Sequence, residues 1–335
     1  MRKIDRLVTI RDVAAAAGVS VGTASKALND RGTLRAETRQ RVRDAADRLG
    51  FEANAVARTL KVGRTYTVGM ITTDSIGRFS IPLMLGAEDA LGAGQMSVLL
   101  CDARDDPIRE QYYLRTLLTR RVDGIVVTGR RAQARPPLAP DLPVPVVYAF
   151  VSSTDPADCS VVPDEAGGAG RAIEHLRAIG RRRIVHVTGP EHHSSARVRA
   201  SAAETALVRP PLFGEWSEAW GRQAGAMLLA EGTAFDAVFA GSDQIARGVV
   251  DTLRTAGRRV PEDVAVIGFD NWDTMVTASQ PPLSSVDMDL DGLGRAAANL
   301  LLAAINGEPA PGRHVRPCRL VLRESTAIAG PVREG

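Results

Sequence analysis

Residues Thr9–Asn29 read TIRDVAAAAGVSVGTASKALN. Ile10, Val13, Ala14 and Ala17 recur at i, i+3, i+4 and i+7, which puts one apolar stripe on a short helix. Gly18 breaks that helix, and Ser20 is placed to cap a second one, its hydroxyl taking an orphan N–H of the first turn. Val21, Ala24 and Leu28 share a face that packs on the first helix. Gly22, Thr23, Lys26 and Asn29 are left on the other face. Two helices joined by a short turn with glycine, the second with a small polar outer face, spell a helix-turn-helix. The second helix of such a motif reads the DNA major groove. The competing reading is an ordinary Ala-rich helical hairpin, and the rest of the chain weighs against it.

The chain has 335 residues, too many for one ordinary core, so two or three domains are expected. It is 44% apolar and 4% aromatic, a globular composition. It holds no unbroken apolar run of membrane-spanning length. The first residues, MRKIDRLVTIRD, have no apolar core of a secretory signal, so a cytoplasmic, nucleoid-associated protein is expected. Cys101, Cys159 and Cys318 fit neither a zinc spacing nor a disulfide framework. The net charge of +3 hides an asymmetry. Residues 1–64 hold 14 Lys+Arg against 7 Asp+Glu, and the remainder hold 28 against 32. Positive charge concentrated beside the helix-turn-helix is the footprint of a phosphate-binding head. A merely solvated basic face would not explain why the excess stops near Arg64.

Periodicity predicts a third helix over Ala36–Leu49, ended by Gly50. Asn54 can cap a further helix of about two turns that Gly63 stops, too short to be stable alone. From there to residue 325 short apolar runs alternate with helical patterns. The predicted strands are Thr67–Ile71, Ser97–Cys101, Gly124–Thr128, Val144–Tyr148, Ile184–Thr188, Ala237–Ala240, Val264–Phe269 and Ser284–Met288. Each is nearly continuously apolar, as parallel strands covered on both faces are. Helices are predicted between most of them, for example over Ile81–Gly94 and Gln244–Ala256. This alternation means a doubly wound α/β core, and the number of strands suggests two parallel-sheet lobes.

The Thr9–Asn29 segment, Arg39–Val42 and the hinge run ValAlaArgThrLeuLys at 56–61 stand in one register. With SerAlaArg at 195–197, SerAspGln at 242–244, GlyPheAspAsn at 268–271 and ProProLeuSerSerVal at 281–286, they make the chain resemble the lactose-repressor (LacI/GalR) family of bacterial regulators over nearly its whole length. The resemblance implies a helix-turn-helix head (1–53), a hinge (54–65) and an effector-binding and dimerisation core (66–335) like periplasmic binding proteins. Lobe 1 is then about 66–163 plus 287–317, and lobe 2 about 164–286 plus 318–330. On the recognition helix it implies base reading by Val21, Gly22 and Lys26. Lys26 can donate to guanine and Val21 can meet a thymine methyl. Thr9, Ser20, Thr23, Ser25 and Asn29 match phosphate-contacting or capping positions. In the hinge it implies DNA contacts from Asn54, Ala57, Arg58, Leu60 and Lys61. Leu60 from two subunits would wedge into the minor groove at a central CG step, a pyrimidine–purine step that unstacks cheaply. Arg35 stands where relatives carry a small hydroxyl residue before the third helix, so the cap is either lost or shifted to Thr33, and Arg35 is free to reach a phosphate instead.

For the core, the resemblance implies effector contacts from Phe79, Phe150, His193, Arg197, Trp216, Ser242 and Asp270. An Arg and an Asp across one cleft can hold vicinal hydroxyls by charge-assisted hydrogen bonds. Phe150 lies where sugar-binding relatives often carry Asp, which makes that wall more apolar and argues against a simple hexose. The segment Ala203–Glu215 is shorter than usual in the family. No apolar heptads follow the core, so a homodimer is expected rather than a coiled-coil tetramer. The function expected is therefore a repressor whose affinity for a palindromic operator is switched by a small molecule such as a sugar, a sugar derivative or a nucleoside-like compound. An enzyme or a plain binding protein is the alternative. No P-loop, GxSxG or HExxH motif supports an enzyme, and Gly167-Gly168-Ala169-Gly170 lacks the GxGxxG spacing. No cofactor and no metal are expected, the His192-His193 pair having no third ligand at a suitable spacing.

Overall fold

The structure is a computed structural model that describes residues 8–28, 32–51, 64–92 and 96–327. The chain divides into two compact units, Met1–Tyr66 and Thr67–Gly335.

The described part of the first unit holds α1 (Ile10–Ala16), α2 (Val21–Leu28) and α3 (Ala36–Leu49). Thr9 starts α1, its backbone N–H and its hydroxyl both donating to the Asp12 carboxylate, at 2.8 and 2.6 Å. Ser20 starts α2, its hydroxyl accepting from the Thr23 N–H at 3.1 Å. Gly18 and Gly50, at φ of 63° and 61°, take the left-handed conformation that ends α1 and α3. Arg35 precedes α3 and offers no side-chain cap. The helices meet on small residues, Ala14, Ala17, Ala24, Ala27, Ala45 and Ala46, around Val13 and Val42. Val21 departs from the sequence reading: it is 43% exposed, and Ala27 takes its place in the core. At about 100° per residue, positions 24, 27 and 28 share the inner arc and position 21 falls just outside it.

The second unit begins with β1 (Thr67–Thr72), α4 (Ser80–Gly92), β2 (Ser97–Asp102), α5 (Pro107–Thr119), β3 (Gly124–Val127), β4 (Ala134–Arg135), β5 (Val146–Ala149), β6 (Ser152–Ser153) and β7 (Cys159–Pro163). It continues with α6 (Glu165–Ala178), β8 (Ile184–Thr188), α7 (Ser194–Ala203), β9 (Leu212–Phe213), α8 (Glu218–Ala230) and β10 (Ala237–Ala240). Then follow α9 (Asp243–Thr255), β11 (Ala265–Phe269), α10 (Asp273–Val276), β12 (Ser284–Asp287), α11 (Leu290–Ile305), β13 (Gly312–Arg316) and β14 (Arg319–Val321). One six-stranded sheet has the order β13-β7-β5-β3-β1-β2, the other β14-β12-β11-β10-β8-β9. All pairings in both are parallel except β12 with β14. The chain thus passes between the sheets three times: after Pro163, after Asp287, and between Arg316 and Arg319.

Each sheet is covered on both faces, which is why its central strands read as unbroken apolar runs. In the first lobe Ile71, Ile125, Val127 and Tyr148 pack under Leu114 and Leu117 of α5. In the second, Val185, Val187, Val238 and Val266 pack under Leu228 of α8 and Ile245, Val249 and Leu253 of α9. Parallel strands put all their carboxyl ends at one edge of a sheet, where α/β folds bind ligands. The loops after β1, β3, β5, β8, β10 and β11 from both lobes converge on one cleft. No helix among the described residues is long and apolar enough to cross a membrane.

Candidate functional site

The cleft encloses about 450 Å³ and is lined from both lobes. From the first lobe come Arg78 and Phe79, Arg130 to Gln133, and Phe150. Phe79 and Phe150 stack with ring centroids 4.8 Å apart and planes 18° apart. Their pairing forms a flat apolar wall. The Phe79 N–H donates to the Asp74 carboxylate at 2.7 Å, which fixes the loop that carries it.

The second lobe supplies His193, Arg199, Trp216, Ser242, Gln244, Asp270 and Trp272. Trp216 donates its indole N–H to His193 Nδ1 at 2.7 Å, which leaves the proton of a neutral His193 on Nε2. Partial burial, and then the Arg131 guanidinium, push the His193 pKa down. Gly189 makes room for Trp216, because a Cβ there would lie 2.1 Å from the indole ring. Ser242 caps α9, accepting from the Ile245 N–H at 3.3 Å. It is buried and contributes to the cleft wall.

Asp270 follows β11 directly and is held at a φ of 103°, a strained conformation for a side chain-bearing residue. Burial pushes its pKa up, against the opposing pull of Arg78 and Arg199. The neighbouring Asp243 carboxyl is pushed up to about 8, by burial first and by Asp270 second. It accepts from Ser285 Oγ at 2.5 Å and from the Trp272 N–H at 2.7 Å, so it ties β12 to the loop after β11.

One expectation is corrected. Arg197 was expected to face Asp270, but its side chain is exposed and donates to the Glu191 carbonyl at 2.9 Å. The arginine that reaches the cleft is Arg199, which is 4% exposed. Two residues along a helix turn a side chain through about 200°, so only one of the pair can point inward. Arg199 is held by Glu165 at 2.5 Å, lies 3.5 Å from an Asp270 oxygen and covers the Phe269 ring at 3.6 Å.

Arg78, Arg199, Gln244 and Trp272 were not singled out from the sequence. Each lies within two residues of one that was. Arg78 reaches from the first lobe to the second. It ion-pairs with Asp270 and donates to Gln244 Oε1 at 2.9 Å. Among the described residues no group of three His, Cys, Asp or Glu side chains is placed to hold a metal.

In the first unit, Val21, Gly22 and Lys26 are exposed on α2, with Thr23 and Ser25 half-buried beside them. Thr9 and Ser20 act as helix starts. Asn29, Asn54, Ala57, Arg58, Leu60 and Lys61 lie outside the described residues.

Fold and site define a class: a two-lobed ligand-binding core preceded in the same chain by a helix-turn-helix unit. Comparisons with known proteins agree. Residues 9–54 match the bacterial regulatory proteins of the lacI family, and residues 173–326 match the periplasmic binding protein-like domain. Catabolite control protein A of Priestia megaterium is 32% identical over 95% of this chain and 99% of its own length. The regulator CelR of Thermobifida fusca is 32% identical over 96% of this chain and 98% of its own. Among solved structures, a lac repressor dimer bound to operator and the anti-inducer ONPF superposes with a TM-score of 0.79 at 26% identity. It covers 96% of this chain and 100% of that one. A CelR–cellobiose complex superposes with a TM-score of 0.65 at 29% identity, over 95% and 99%. The chain belongs to the lacI family of bacterial regulatory proteins. It is a DNA-binding transcriptional regulator and not an enzyme.

Proposed function

We propose that this regulator is a dimeric repressor whose affinity for a palindromic operator is set by a small molecule bound in the cleft, acting in the cytoplasm on the nucleoid. The observation that carries the reading is that Phe79, Phe150 and Arg78 from one lobe and Asp270, Arg199 and Trp216 from the other line one cavity. A ligand touching both lobes binds one lobe arrangement better than another, and that differential affinity is what can move a head-to-core equilibrium. Phe79, Phe150, His193, Trp216, Ser242 and Asp270 are its effector residues, with Arg199 in place of Arg197. A relative solved with cellobiose and another solved with operator support the two halves of this account.

On DNA, head (1–53) and hinge (54–65) act together. Val21, Gly22 and Lys26 read the major groove. Thr9, Ser20, Thr23, Ser25 and Asn29 position the head on phosphates. Asn54, Ala57, Arg58, Leu60 and Lys61 reach the minor groove. The core (66–335), in its two lobes, carries the cleft and the dimer contact. Selection of random DNA by the purified protein tests this. The expected product is an inverted repeat of roughly 14–20 bp about a central CG. Recovery of direct repeats, or no consensus, would refute it.

A further inference from the structure

Arg78 joins the two lobes through its side chain. It stands in the loop after β1, and that loop is fixed at its base. The Asp74 carboxylate accepts from the Phe79 and Ser80 N–H groups at 2.7 and 3.0 Å. Gly77, at a φ of 80°, makes the turn just before Arg78. From there the guanidinium crosses to the second lobe. It ion-pairs with Asp270, donates to Gln244 Oε1 at 2.9 Å and lies 4.5 Å from the Trp272 ring centroid. On its own lobe it lies 4.8 Å from the Phe79 centroid. The side chains of Arg78 and Asp270 are 13% and 6% exposed.

Arg135 with Glu110, Arg183 with Asp236 and Arg295 with Asp89 each pair within one lobe, whereas Arg78 with Asp270 spans two. Its burial keeps it from the screening that makes exposed ion pairs weak. A planar guanidinium donates to two acceptors while its face lies on a ring, so the contacts with Asp270, Gln244 and Trp272 form together. Each is protein to protein and needs no ligand to form. Separating the lobes breaks all of them at once. Lobe arrangements that differ in these contacts therefore differ in free energy before any ligand binds.

We infer that Arg78 is an inter-lobe latch: its contacts with Asp270, Gln244 and Trp272 hold the lobes in the arrangement described above without help from a ligand, and so set the operator affinity of the unliganded regulator. The second half rests on the reading that lobe arrangement is coupled to the operator. The latch leaves Asp270 able to receive a ligand, because a carboxylate accepts several hydrogen bonds at once. A ligand therefore acts on lobes that are already biased, not on two free bodies.

The distance between two nitroxides, one on each lobe, tests the latch with neither DNA nor ligand. They are attached through Ile108→Cys and Glu191→Cys, at exposed positions, in the full-length protein with Cys101 and Cys159 replaced by alanine. Cys318 is buried and stays. The labelled chain is co-assembled with excess unlabelled chain, so that only distances within one chain are read. Arg78→Met keeps bulk between the rings but no donor, and should broaden the distribution towards longer distances. Gln244→Ala removes a partner on the other lobe and should shift it the same way, by less. Arg78→Lys keeps the charge and should stay closer to the parent than Arg78→Met, which separates a lost contact from lost folding. Arg197→Ala, at an exposed arginine, should keep the parent distance. Parent-like distances in both Arg78→Met and Gln244→Ala would overturn the latch. Without ligand, the operator affinity of Arg78→Met should differ from the parent's by about tenfold, as removal of a charge-assisted contact shifts the lobe equilibrium. Lengthened distances with operator affinity within about twofold of the parent would overturn the link from latch to DNA. A parent that selects no palindromic operator would remove the regulatory reading instead, and the distances would still decide the latch.

Discussion

Arg199 and Arg197 differ by two positions and by everything else. Arg199 carries the buried contacts with Glu165, Asp270 and Phe269, and Arg197 none of them. Removing one member of a buried ion pair strands the other, at about 3–5 kcal/mol. Arg199→Ala should therefore cost stability of that order and abolish effector binding, whereas Arg197→Ala should stay within about 0.5 kcal/mol of the parent. Denaturant titration reads both, and equal effects would contradict the placement. His186 offers a second test at this scale. It is buried in β8, stacks on Phe239 at 4.5 Å and places Nδ1 2.8 Å from the Phe239 carbonyl, so Nδ1 carries the proton. Burial pushes its pKa down from 6.5 to about 4. Between those values the unfolded chain takes up a proton that the folded chain refuses. The stability it contributes is thus full above pH 6.5 and lost as pH falls towards 4. His186→Phe should flatten the acid side of the stability curve by up to about 1.4 kcal/mol per pH unit relative to the parent. Curves that stay parallel from pH 7 to 4 would refute it.

At the level of elements, capping chemistry is legible in the sequence. Ser20 was read as the start of α2, and its hydroxyl accepts from the Thr23 N–H. Ser20→Ala should lower the stability of the head by about 1 kcal/mol, seen as an earlier unfolding step of residues 1–66 in hydrogen exchange. No change would mean that the cap contributes nothing there. The α3 bounds, Ala36–Leu49, agree with the sequence reading because Gly50 supplies an unambiguous stop. The central strands are legible for a different reason: burial on both faces leaves mostly apolar residues. β5 begins at Val146 rather than Val144, because Pro145 has no N–H to pair. The strands not foreseen are those that lack the apolar signal. β13 is largely exposed, reading GRHVR at a sheet edge. β14 pairs only through its antiparallel neighbour, and β9 is two residues long after Pro210-Pro211. β7 carries Ser160 in its buried run. In the cleft, Asp270 is legible through its GlyPheAspAsn motif, and Phe79 and Phe150 through the family resemblance alone, whereas the burial of Arg199 depends on Glu165, distant in sequence and brought close by α6 packing on α7.

Across the whole molecule, the uneven charge distribution sets how the chain meets DNA. The excess of positive charge in residues 1–64 should make operator binding fall steeply with salt, since each neutralised phosphate releases counterions. The core carries a slight negative excess and should not bind DNA by itself. Electrophoretic shifts of the full chain and of residues 67–335 at increasing salt check both statements. A core that binds DNA as tightly as the full chain would contradict them. A cleft ligand that switches operator affinity must itself be bound more or less tightly when operator is present, because coupling between two binding sites is reciprocal. The direct measurement is calorimetric titration of a compound that binds the cleft into the full-length protein, with and without saturating operator. The expected result is a ligand affinity that differs between the two titrations by the same factor as operator affinity differs with and without ligand. An identical ligand affinity in both titrations would contradict the account, because the cleft would then bind its ligand without any effect on DNA.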